Sequence, residues 1–215
     1  MHASVEQSER GVTRAAIVGA ALEIIDADGV EPLTMRRLAG AVGMGLATLY
    51  GHVRNREDVL DGVAQLLMAE ADVSVHSGEP WQETLRRNAR SYRGIARRHP
   101  RAFHLVALRR NDDPAVLSHV AKVLGLFRAA GFSEEQALLV NAVTDAYNSG
   151  FSLVSGQELS ASEADPADPH VELLTPPLQL KLATMTSDAA FERGLDIVIA
   201  GIEATLAPST PESDG

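Results

Sequence analysis

The chain has 215 residues, of which 45% are hydrophobic and 22% charged, a globular balance that fits a buried core and at most two small domains. It contains no cysteine, which excludes disulfide frameworks, thiolate zinc sites and cysteine nucleophiles; no signal peptide and no apolar run long enough to span a membrane is visible, so a cytoplasmic protein is expected. The net charge of −10 disfavours nucleic acid only on average, because a partner feels the local field. Residues 32–56 hold four arginines (Arg36, Arg37, Arg54, Arg56) and no acid, residues 84–111 hold nine arginines and no acid, and the acids gather after Tyr147.

Aromatic residues make up only 4%, and the abundance of Ala, Leu and Val favours helices over sheets. Residues 1–11 are polar and read as a flexible N-terminus. Thr13 is a cap for a first helix, in which Ala16, Ile17, Ala20, Ala21, Ile24 and Ile25 recur at helical spacing up to Asp28-Gly29. Thr34 caps a short second helix with Leu38 and Val42 inward, and Gly43 ends it by supplying the positive φ of a tight turn. A third helix is expected over 45–51. A fourth runs from Asn55 to about Ala71, with Val59, Leu60, Val63, Leu66 and Leu67 on its apolar side. The loop over 74–80 marks a boundary, so residues 12–73 are read as one domain and 80–206 as a second. Pro80-Trp81 opens a fifth helix that stops before His99-Pro100. A sixth is expected over 102–108, a seventh from Pro114 to Gly131, and an eighth from its Ser133 cap to about Ser155. Residues 158–177 are acidic, Pro-containing and aperiodic, which reads as a mobile connection. A last helix covers Leu178 to Leu206, either continuous or interrupted near Thr186-Ser187-Asp188, ahead of a disordered tail at 207–215. The expected fold is all-α, with about nine helices.

The segment Leu33 to Val53 reads as a helix-turn-helix. Ala39 lets two helices approach, Gly43 makes the turn, and Leu38, Val42 and Leu49 pack between them. The second helix would expose Thr48, Tyr50 and His52 to phosphates or base edges, and Arg36 can reach a guanine edge bidentately. A helical corner with a solvated basic face has the same spacing; an acid-free stretch in an acidic chain favours DNA. In the fifth helix Arg86, Arg90, Arg93 and Arg97 form a stripe that is either solvated, ion-paired or a second DNA-facing field. In the eighth, Asn141, Thr144, Asp145, Asn148 and Ser152 form a narrow polar stripe that either faces water or lines a cavity. Phe103, His104, Phe127 and Leu138 are candidates to line a pocket for an amphipathic molecule, with Asn141 and Asp145 from the polar stripe; a core or surface histidine is the plainer reading of His104.

The stretches Ala20-Ala21-Leu22-Glu23-Ile24, Gly29-Val30, Leu33 to Ala39 and Thr48 to Arg56 resemble the DNA-binding domain of the TetR family of bacterial transcriptional repressors, with Arg56 in place of the usual Lys. Trp81-Gln82-Glu83, Leu85-Arg86, Asn88-Ala89, Ser91-Tyr92 and Gly131-Phe132-Ser133 resemble the effector domain of its tetracycline-repressor subgroup. The resemblance implies DNA contacts at Thr34, Arg36, Leu46, Ala47, Thr48, Tyr50, His52 and Arg56, and ligand-pocket positions at Asn88 and Tyr92, where a satisfied core hydrogen bond is the alternative. It also implies a homodimer through the last two long helices, for which Leu178, Leu182, Met185, Ala189, Leu195, Val198, Ile202 and Leu206 are suited. The function it implies is a repressor released from a palindromic DNA operator by a small molecule, or an activator of the same fold. The positions matching the subgroup's magnesium–tetracycline ligands carry Asp72 and Val154, so no such site, no metal and no cofactor is expected. No Glu has a His three residues on, and no Gly-x-Ser-x-Gly elbow, phosphate loop or His-Glu-x-x-His run occurs, so an enzyme is not expected. A helical adaptor for a protein partner is the remaining alternative.

Overall fold

Thr13 accepts a hydrogen bond from the Ala16 amide and opens helix α1 (Arg14–Asp28). Thr34 does the same for α2 (Met35–Ala41) through the Arg37 amide, and Asn55 for α4 (Arg56–Met68) through the Asp58 amide. Each cap satisfies a donor that the first helical turn leaves unpaired. Between them, α3 (Leu46–His52) starts at Gly45 without a side-chain cap. The chain continues through α5 (Trp81–Arg98), α6 (His104–Ala107), α7 (Pro114–Ala129), α8 (Glu134–Gly156) and α9 (Asp188–Leu206). α8 opens on a reciprocal capping box: the Gln136 amide donates to the Ser133 hydroxyl and the Ser133 amide to the Gln136 side chain.

This computed structural model describes residues 13–74, 76, 78–108, 114–156 and 184–206, and among them the fold is all-α, as expected, with nine helices and no strand. The expectations for residues 1–11, for the 158–177 connection, for the start of the last helix and for the 207–215 tail lie outside the described residues. α6 is a single turn rather than the helix expected over 102–108. After Pro100 the amides of Ala102, Leu105 and Val106 bond three residues back, a tighter winding that interrupts the α pattern. No described helix is long and apolar enough to cross a membrane.

The chain divides into two compact units: Met1–Asp72 with Ser91–His119, and Val73–Arg90 with Val120–Gly215. In the first unit α4 packs against α1 and against α6, while α2 packs against both α1 and α3. Ile17, Ile25, Leu33, Leu38, Leu49, Val59, Val63 and Leu67 are fully buried. The α1–α4 contact is close: a Cβ at Gly62 would lie 2.6 Å from Val18 Cγ2. Residues at and after the end of α5 are tied to the ends of α1 and α4. The His99 ring meets the Asp26 carboxylate at 2.8 Å, Arg101 donates to the carbonyls of Asp26 and Ala27, and Arg98 pairs with Glu70. A cation on the last carbonyls of a helix also complements its dipole.

The second unit has a core of Leu85, Ala89, Val123, Phe127, Phe132, Ala137, Val140, Phe191, Leu195, Ile199 and Ile202. Gly131 (φ 94°) ends the α7 segment in a Schellman turn, with Phe132 N–H on the Phe127 carbonyl and the two rings 5.7 Å apart. α9 lies on α8, where the Tyr147 ring stacks on Phe191 and its hydroxyl donates to the Phe191 carbonyl at 2.7 Å.

Candidate functional site

The turn between α2 and α3 follows from Gly43. With φ at 67°, its amide bonds to the Gly40 carbonyl and the Met44 amide to the Ala39 carbonyl, a Schellman closure that needs the left-handed conformation. Leu38 and Leu49 are fully buried between the helices, and Ala39 is buried beside them. The opposite side of α3 is open: Leu46 is 40% exposed and Tyr50 49% exposed, with Ala47, Gly51 and His52 exposed around them and Thr48 half-buried. Two large apolar side chains left in water on a helix whose other side is fully buried make this face a candidate contact surface.

Thr34 is exposed, but its hydroxyl oxygen already caps α2. Arg36 is exposed and makes no ion pair among the described residues. The other three arginines of the acid-free stretch are engaged. Arg37 pairs with Asp28. Arg54 pairs with Asp58, which also accepts the Arg54 amide and a bond from Arg14. That amide, with the flanking guanidiniums, holds the Asp58 carboxyl below the usual range against the opposing effect of its burial. Arg56 donates from Nε to the Leu33 carbonyl at 2.9 Å and from Nη2 to the Val30 carbonyl at 2.8 Å, bracing the loop before α2. Acids 28, 57 and 58 flank the acid-free stretch in sequence and meet its arginines in space, which a linear charge window does not register.

The expected ligand positions fall in both units. In the first, Tyr92 and Phe103 are buried with their rings edge to face, 5.2 Å apart, and His104 is half-buried. In the second, Phe127 is core, Asn88 and Asn141 are half-buried, and Leu138 and Asp145 remain open to solvent. The Asp145 carboxyl is raised above the ordinary aspartate range by desolvation, which a hydrogen bond with Ser149 only partly opposes. A cleft of about 190 Å³ opens beside Trp81 and Phe127, with Glu79 and Thr84 on its polar side. That is smaller than the roughly 300 Å³ at which drug-sized sites begin. Glu79 is moreover held by Arg87 and Thr84, which lower its carboxyl.

The arginine stripe of α5 resolves into two behaviours. Arg86 pairs with Asp196 and Arg90 grips Glu192 through two 2.8 Å bonds, so these two tie α5 to α9. That grip raises the Arg90 guanidinium and lowers the Glu192 carboxyl from their usual values. Arg93 is buried and Arg97 exposed. The polar stripe of α8 does not simply face water: Thr144, Asn148 and Ser152 are buried, while Asn141 is half-buried and Asp145 exposed. Leu195 and Ile202, expected at a dimer seam, are core residues of their own unit, whereas Leu139, Val143, Val154 and Ile197 are exposed. Leu178 and Leu182 lie outside the described residues.

Residues 76–206 match the family described as "Tetracyclin repressor-like, C-terminal domain". The class D tetracycline repressor protein of Escherichia coli is 34% identical over 200 residues, covering 91% of each chain. An HTH-type transcriptional regulator of Saccharopolyspora erythraea is 30% identical over 211 residues, covering 90% of this chain and 86% of that one. Among solved structures, the TetR family protein ActR of Streptomyces coelicolor in complex with actinorhodin has a TM-score of 0.72 at 29% identity. That match covers 93% of this chain and 99% of that one, and ActR has also been solved with (S)-DNPA.

Proposed function

Because the chain belongs to the TetR family of transcriptional regulators, with a tetracycline repressor-like C-terminal domain, we propose that it is a homodimeric cytoplasmic repressor released from a palindromic operator by a small amphipathic molecule. The observation that carries the DNA half is the exposed α3 face over a buried Leu38–Leu49 contact. α3 enters the major groove. Tyr50, Thr48, His52 and Thr34 contact phosphates and sugars, Leu46 and Ala47 touch base methyls, and Arg36 reads a guanine edge. Arg56 contributes charge and holds the loop that places Thr34.

Dimerisation uses α8 and α9. Leu139, Val143, Ala146, Gly150 and Val154 form one exposed stripe along α8, and Ile197, 74% exposed, stands with Gly201 and Ala204 on α9. Small residues beside large apolar ones let two copies approach closely, and a two-fold axis sets two recognition helices about 34–36 Å apart. Release is a population shift: DNA favours the conformer with matched spacing, and the ligand favours one in which α4, packed on α6 and α1, has moved. The proposed ligand contacts are Asn88, Phe127, Leu138, Asn141 and Asp145 in the second unit and Tyr92, Phe103 and His104 in the first. The effectors to try first are actinorhodin and (S)-DNPA, the molecules bound to ActR. Tetracycline with magnesium serves as the expected negative, given Asp72 and Val154.

Fluorescence anisotropy on the promoter fragment tests the reading. Arg36→Ala is expected to weaken binding by about 10- to 100-fold, in line with about 1–3 kcal/mol for a bidentate base contact. Unchanged affinity in Arg36→Ala and Tyr50→Ala alike would overturn it in favour of an adaptor.

A further inference from the structure

The inner face of α8 carries hydroxyl and amide groups where a core helix ordinarily carries methyls. Thr144, Asn148 and Ser152 follow at every fourth position, and all three are buried. Thr144 is satisfied, its hydroxyl donating to the Val140 carbonyl at 2.7 Å. The other two are not. Asn148, 5% exposed, keeps its amide oxygen out of water with no hydrogen-bond partner among the described residues, and Ser152, 4% exposed, does the same with its hydroxyl. A buried acceptor without a donor forfeits its hydration with no return, so an apolar side chain of similar shape would make a more stable helix at either place. Two such groups sit on successive turns and continue the line of Asn141 and Asp145. Groups retained at a cost to the free protein point to a partner that the free protein lacks.

We propose that Asn148 and Ser152 form a polar rail that reads the effector, selecting an apolar molecule that carries a hydroxyl or amino group. The inference rests on the reading of the C-terminal domain as a small-molecule sensor and adds the chemistry of what it senses. Asn148 Oδ1 can only accept, so the ligand must donate to it; the Ser152 hydroxyl both donates and accepts, and so takes a second hydroxyl or a carbonyl beside the first. A carboxylate or phosphate set directly against the rail would face the Asn148 oxygen and the nearby acid Asp145, so any acidic group of the ligand must point away from it and the groups that meet the rail are neutral. An apolar analogue with its hydroxyls methylated leaves the rail unsatisfied and is rejected too.

Two variants test this in the full-length dimer: Ser152→Ala, which removes one oxygen without adding volume, and Asn148→Leu combined with it. Without ligand, both are expected to melt at or above the wild-type temperature and to bind the operator with wild-type affinity. In the anisotropy assay, the compound from the actinorhodin and (S)-DNPA panel that releases wild type should need at least tenfold more to release the double variant. A drop in melting temperature in Ser152→Ala would overturn the proposal, because the hydroxyl would then serve the free protein through a bridging water or a structural bond. Release of wild type and double variant at equal concentration would overturn it as well. Failure of every compound to release wild type is a different result, seen before any substitution is made, and it counts against the sensor reading itself.

Discussion

Asp145 shows how one side chain can carry a cost that sequence does not announce. It extends a polar stripe on α8 and remains open to solvent on one side, yet desolvation raises its carboxyl above the ordinary aspartate range. A carboxyl raised in the folded state binds its proton more tightly there than in the unfolded chain. Stability therefore falls as pH rises through the gap between the two values, and above it the carboxylate is a net burden. Asp145→Asn is expected to raise the melting temperature at pH 7.5, and the gain should shrink as the pH is lowered towards pH 4.5; a thermal melt at the two values checks this. Asp58 and Glu192 have the opposite sign: their carboxyls are lowered by donors around them, so their contribution is present at neutral pH and is lost below the ordinary carboxylate range. The turn between α2 and α3 and the exposed side of α3 were legible residue by residue, because caps, Gly43 and the inward Leu38 and Leu49 act within one turn of each other. The engagement of Arg37, Arg54 and Arg56 was not. Their partners are backbone carbonyls at Val30 and Leu33 and acids outside the basic window, and those approach only after α1, α2 and α4 have packed.

Among the helices, polar caps and glycine stops made the boundaries readable, and the exception is instructive. α6 was expected over seven residues on composition and instead winds as one turn, because Pro100 and the three-residue bonds after it use the amides differently. Which helix faces approach most closely was also hidden, since nothing in a lone glycine says what lies opposite. Gly194 on α9 is such a case: a Cβ there would strike the Tyr147 ring and hydroxyl, whose bond to the Phe191 carbonyl fixes α9 on α8. Gly194→Ala should therefore cost about 1–3 kcal/mol in urea unfolding, the usual range for an overfilled contact, although alanine is the better helix former. A gain in stability would mean that Tyr147 does not hold α9.

At the scale of the whole molecule, the exposed stripe of Leu139, Val143 and Val154 has the character of a subunit seam. Val143→Glu should yield a monomer in sedimentation velocity, because it would set a carboxylate in the middle of the apolar stripe proposed to be buried on dimerisation. The same variant should lose most of its operator affinity while keeping its helical content, since one reading head alone binds only half a palindrome. The domain-scale identity of the chain was legible because it rests on short motifs. The burial of the last helix was only half legible, because an amphipathic helix with two apolar sides does not say which side its own core takes; Leu195 and Ile202 went inward and Ile197 outward.

The pairing of Arg37, Arg54 and Arg56 within the reading head has a further effect on how the protein would behave in its setting. Phosphate contacts gain free energy by expelling condensed counterions, and each guanidinium already spoken for expels fewer of them. A head that leaves Arg36 as the one arginine of that stretch without an ion pair or hydrogen bond among the described residues would, on the proposed reading, depend on shape and on Leu46 and Ala47 against the bases more than on bulk attraction. Its hold on nonspecific duplex should be correspondingly slight, and its occupancy of the true site should change little when a cell concentrates potassium under osmotic stress, which a potassium titration of operator affinity checks.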